Sequence, residues 1–126
     1  MMFFRMTALS RIAISSAALL LAAAPAQADD MAFYMKNAHP RAVVVELHSQ
    51  TRDHRWPGGD QVYLLEKGEK KSVPIACEAG ETICYGAWLN GDDSVSFGVG
   101  PDNSRRCEDC CSICVAKATE TIELKP

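Results

Sequence analysis

Thr82-Ile-Cys-Tyr-Gly-Ala-Trp-Leu89, then Asn90-Gly-Asp-Asp93, then Ser94-Val-Ser-Phe-Gly-Val99 reads as one strand, a short polar turn of hairpin length and a returning strand. Aromatic and β-branched residues suit a pleated, half-buried surface. Gly86 interrupts the first strand and marks a bulge or a point of close backbone approach. Trp88 and Phe97, on the facing strands of this hairpin, are assigned to the core.

Outward from the hairpin the same grammar repeats. Strands are expected over 31–37, 42–49, 61–66, 69–76 and 119–124, each bounded by turn residues such as Ala38-His39-Pro40-Arg41 or Lys67-Gly68. In the second of these Val43, Val45 and Leu47 share one face, and Val44, Glu46 and His48 the other. Pro74 cannot donate to a ladder, which puts its strand at a sheet edge. In the last strand Ile122 and Leu124 point inward. About seven short strands with no helical repeats between them define an all-β chain, a small antiparallel β-sandwich. The immunoglobulin pattern does not fit: the second cysteine follows Cys77 too soon, and no tyrosine stands two residues before a candidate.

Cys107-Glu-Asp-Cys110-Cys111-Ser-Ile-Cys114 breaks the strand pattern. Its cysteines fall at i, i+3, i+4 and i+7, the spacing of one helix face, with Ser104 as an N-cap. The segment 105–117 is therefore expected as a short Cys-rich helix, or a compact irregular loop, stapled to the sandwich.

The compartment decides what the sulfurs do. Arg5 and Arg11 precede an apolar run over 12–24, and Ala26-Gln27-Ala28 supplies a small-x-small cleavage pattern. The run is short for a membrane span and no basic stop-transfer cluster follows it. Residues 1–28 are assigned as a signal peptide of the general secretory route, cleaved after Ala28. They leave residues 29–126, 98 of the 126, as a single disulfide-rich domain, periplasmic or secreted. The leader carries two basic residues and no acidic ones, so its removal takes the formal net charge from −3 to −5. That acidity argues against nucleic acid or an anionic membrane as partner.

In an oxidising compartment Cys77, Cys84, Cys107, Cys110, Cys111 and Cys114 are expected as disulfides. Six cysteines allow about fifteen pairings, and excluding the neighbours Cys110 and Cys111 leaves about twelve. Bridges from the 107–114 segment to Cys77 and Cys84 are the natural solution, with the other two sulfurs paired locally or free. The alternative is a zinc site on Cys107, Cys110, Cys111 and Cys114, although two abutting Cys-x-x-Cys units lack the loop that separates the halves of a zinc ribbon. A third possibility is thiol-redox chemistry, with Arg105 and Arg106 lowering a thiol pKa and Glu108 and Asp109 opposing them. Haem attachment is excluded, since no histidine follows either unit.

Other constellations are weaker. His48, Asp53, His54 and Asp60 crowd into one stretch but match no metal or paired-carboxylate spacing. Trp56, flanked by Arg55 and Asp60 on the longest polar connection, is either a stacking contact for a sugar or a partner side chain, or a plug over the sandwich end. Arg55, Trp56 and Asp60 are the candidate binding residues. No nucleophile elbow or phosphate loop is present. The expectation is a non-enzymatic module, without cofactor, that binds a protein or glycan through the loops at one end of its sandwich.

Overall fold

The computed structural model describes residues 28–115 and 119–125. The leader expected over 1–28 lies, but for Ala28, outside the described residues. Among the described residues nine strands follow in order: β1 (Ala28–Asn37), β2 (Val43–Ser49), β3 (Arg55–Trp56), β4 (Tyr63–Leu65), β5 (Lys70–Glu78), β6 (Thr82–Leu89), β7 (Asp92–Gly98), β8 (Cys111–Ile113) and β9 (Ile122–Leu124). One sheet has the order β5-β1-β9; the other runs β3-β2-β6-β7, with β4 also on β2 and β8 on β6. The two strands beyond the expected seven are β3 and β8, each too short to carry an alternation.

The sheets enclose one core. Met31, Phe33 and Met35 of β1, with Val73, Ile75 and Cys77 of β5, meet Val43, Val45 and Leu47 of β2 and Ile83, Ala87 and Leu89 of β6. Burying one such large side chain is worth about 1.5–3 kcal/mol, which makes this cluster the main source of stability. Pro74 sits on β5, an edge strand, as its missing N–H requires. One pairing departs from the antiparallel expectation: β9 runs parallel to β1, with Met35 opposite Ile122 and Asn37 opposite Leu124. Asn37 is fully buried, and its amide donates to the carbonyls of Arg41, Leu65 and Glu66. It thereby ties the end of β1 to β4, with no buried amide group left unpaired.

The β6–β7 hairpin turns at Asn90-Gly91, with Gly91 at φ 84°. The register shift falls between Trp88 and Leu89, not at Gly86. Gly86 is instead a close-approach point, where an added Cβ would run into the Gly100 carbonyl. Trp88 corrects the expectation. It pairs with Ser96, and Phe97 with Ala87, so Trp88 and Phe97 lie on opposite faces. Phe97 packs on the core; Trp88 is half-buried on the outer face.

No helix forms over the described part of 105–117. Two short 3-10 turns, Pro101–Asn103 and Glu108–Cys110, lead into β8, so the irregular form is the one adopted. The disulfides supply the reason. Cys111 bridges Cys84 on the outer face of the second sheet, whereas Cys114 reaches through to Cys77 in the main core. One helix face cannot present sulfurs to both sides of a sheet. The third bridge, Cys107–Cys110, is local, and no cysteine is free. Two staples thus join the segment to Cys77 and Cys84 and one closes within it, as the cysteine arithmetic anticipates.

Candidate functional site

All seven residues of β2 are buried, although alternation gives Glu46 and His48 to the solvent. The cause is the chain after β7. It crosses the outer face of the second sheet, with Val99 and Cys110 packed on Cys84 and Gly100 seated against Gly86. This crossing carries Asp102 to Arg55, whose Nη1 donates to Asp102 Oδ1 at 3.1 Å. Between the crossing and the 50–60 connection lies an open cleft of about 610 Å³, lined by His48, Arg52, Asp53, His54, Arg55, Gly58, Gly59, Asp102 and Asn103.

Its two rims are clasped together. The side-chain amides of Gln50 and Asn103 exchange hydrogen bonds of 3.1 and 3.2 Å across a separation of 53 residues. Arg55 Nη2 donates to the Gly59 carbonyl at 3.0 Å. Asp102 and Asn103 both hold positive φ, 54° and 55°, which asparagine and aspartate tolerate better than other side chains. At the floor, His48 Nε2 lies 3.1 Å from Glu46 Oε2, with both side chains 8% exposed. The pair is not aligned as a hydrogen bond, and neither atom has a hydrogen-bond partner among the described residues. Arg55 Nη1 stands 3.9 Å from the other Glu46 oxygen and balances its charge.

A second charged group holds the 50–60 rim. Glu81 is 1% exposed and accepts from Arg52 Nε and Nη2, from the Ser49 hydroxyl and from the Glu78 N–H. Burial pushes its carboxyl pKa up, but these hydrogen bonds and the Arg52 charge outweigh burial and hold it at about 2.

The candidate binding residues separate. Trp56 is 8% exposed, within the core cluster, and its indole N–H donates to the Ala76 carbonyl at 3.2 Å. It plugs the sandwich end, with His54 edge-on to its ring at 4.6 Å, and offers no open face for stacking. Arg55 lines the cleft, whereas Asp60 is exposed and outside it. His48, Asp53 and His54 do come together there. Arg52, Glu81, Gln50, Asp102 and Asn103 were not legible as site residues; the one usable signal was a glutamate and a histidine within a strand otherwise rich in valine and leucine.

The zinc reading does not hold, because Cys107, Cys110, Cys111 and Cys114 all lie in S–S bonds and have no thiolate to give. Among the described residues no group of three or more His, Cys, Asp or Glu is arranged to hold a metal ion. No helix among them is long and apolar enough to cross a membrane. Three disulfides in so small a chain mark an oxidising environment, extracellular or periplasmic. Comparison with protein-family models, curated proteins and solved structures finds no match to this chain.

Proposed function

We propose that this chain is an exported, non-enzymatic binding module that holds a saccharide in the cleft between the 50–60 connection and the 100–103 turn. The observation that carries the reading is the lining itself. Arg55, His54 and Asn103 offer donors and Asp53, Asp102 and Asn103 acceptors within one open depression, above the buried His48 Nε2 and Glu46 Oε2, which have no hydrogen-bond partner among the described residues. Adjacent hydroxyls on a sugar ring need such mixed, fixed partners. A protein-binding surface centres instead on exposed aromatic or aliphatic anchors, and Trp56, the tryptophan of this loop, is committed to the core. A net acidic domain also favours a polar ligand over nucleic acid.

Titration calorimetry against a panel of neutral and acidic oligosaccharides tests the proposal, using wild type and the Asn103→Ala and Arg55→Ala variants. Binding by wild type, weakened tenfold or more in either variant with the circular dichroism spectrum unchanged, is the expected result. No binding by any saccharide, or binding indifferent to both substitutions, overturns it.

A further inference from the structure

The three disulfides are not equivalent, and their differences separate two fasteners from a third bridge with another use. Cys77 and Cys114 are 1% and 0% exposed in the main core, 37 residues apart in sequence. Cys84, 1% exposed, meets Cys111 directly across the β6–β8 ladder, 27 residues away. Cys107 and Cys110 lie 3 positions apart in sequence, and neither belongs to a paired strand. Cys110 neighbours Cys111, so the segment stays attached to the sheet whether or not the local bridge is closed. Its contribution to holding the fold is therefore redundant. Cys107 is half-buried, whereas Cys110 is 7% exposed and packs on Cys84 and Val99. Cys107 is thus the less buried residue of this bridge.

We propose that Cys107–Cys110 is a thiol–disulfide exchange site that accepts two electrons from an exported dithiol while the rest of the domain stays folded and bridged. A thiolate of the dithiol attacks Cys107 Sγ, the more open end. The Cys107–Cys110 bond breaks and Cys110 leaves as a thiolate, which takes up a proton. The second thiolate of the reagent then attacks its own sulfur in the mixed disulfide and releases Cys107 as a thiolate, also protonated. The dithiol ends as a disulfide and the protein as a Cys107, Cys110 dithiol. The Cys84–Cys111 bridge holds the Cys110 end on the sheet, and the exchange reverses when the disulfide form of the dithiol is in excess, its two sulfurs taking back the two electrons. This site is independent of the saccharide cleft and does not rest on it.

The test equilibrates the oxidised, folded protein in buffers of graded reduced-to-oxidised dithiothreitol ratio. Each sample is quenched with an alkylating reagent and the labelled cysteines are mapped by mass spectrometry, with circular dichroism recorded alongside. The expected result is a range of ratios in which two thiols per chain are labelled, at Cys107 and Cys110, with an unchanged spectrum. The Cys107→Ser, Cys110→Ser double variant should lack that two-thiol species. First labelling at Cys77, Cys84, Cys111 or Cys114, or the appearance of all six thiols together with loss of the spectrum, overturns the proposal, and both outcomes are read on wild type alone.

Discussion

Arg52 and Glu81, 29 residues apart, face each other with two donors against two oxygens, Nε to Oε2 at 2.6 Å and Nη2 to Oε1 at 3.2 Å. The contact joins the connection after β2 to the turn before β6, and so one rim of the cleft to the sheet beneath it. Bidentate geometry gives such a pair more than an ordinary surface ion pair contributes, and the burial of Glu81 makes the loss of its partners costly.

That pair has a pH signature. The carboxyl of Glu81 is held at about 2 against an ordinary value of 4.5. A depressed carboxyl stabilises the fold fully above the ordinary value, and the contribution falls away as pH drops from about 4.5 towards about 2. With Arg52 one-third exposed, roughly 2 kcal/mol is at stake. Urea midpoints of wild type and Glu81→Gln should differ clearly at pH 7 and converge near pH 2; a gap that persists at low pH would place the effect elsewhere.

The two long-range staples should dominate stability over the local bridge. In the loop-closure account, losing Cys77–Cys114 costs about 4 kcal/mol, losing Cys84–Cys111 about 3.5 kcal/mol and losing Cys107–Cys110 no more than about 2 kcal/mol. Paired serine variants compared by denaturant titration would show that order. A Cys77→Ser, Cys114→Ser protein as stable as wild type would contradict the account.

Trp56→Ala is expected to cost about 3 kcal/mol or more, because it empties a core position and leaves the Ala76 carbonyl without its donor. Trp56→Phe should recover most of the packing but not the hydrogen bond. Thermal melts of the two variants distinguish these contributions, and an alanine variant within 1 °C of wild type would be inconsistent with a buried plug.

Gly86→Ala probes the crossing over the second sheet. The new Cβ would meet the Gly100 carbonyl, which is backbone and cannot swing aside, so the segment must lift. A loss of about 1–3 kcal/mol is expected. Amide exchange at Val99 and Arg105, whose N–H groups donate to Tyr85 and Val99, should rise selectively. Uniformly faster exchange across the domain would instead indicate global destabilisation.

Much of this fold was legible because its strands obey local rules. The β6 strand occupies the residues its composition marks, Pro74 lies on an edge, and the sulfurs of 107–114 reach Cys77 and Cys84. What escaped depended on long-range placement. The helical spacing of the four cysteines is real, but covalent bonds to two sides of a sheet override it. The burial of Glu46 and His48 follows from a chain segment fifty residues onward that covers their face, and no period within β2 can announce that. The clasp of Gln50 on Asn103 is hidden for the same reason. Trp88 looked like core by its size alone, until the register with Ser96 set its side.

The parallel pairing of β9 with β1 has a bearing on when the domain can be finished. Leu124 is 1% exposed in the shared core, and its carbonyl accepts from the Ala38 N–H near the first strand. A chain emerging N-terminus first therefore carries an open flank beside Met35 until residue 124 is free, and until then Cys77 and Cys84 have also been waiting for Cys114 and Cys111. Closure comes late in emergence, once both β9 and the cysteines of 107–114 have left the machinery that makes the chain.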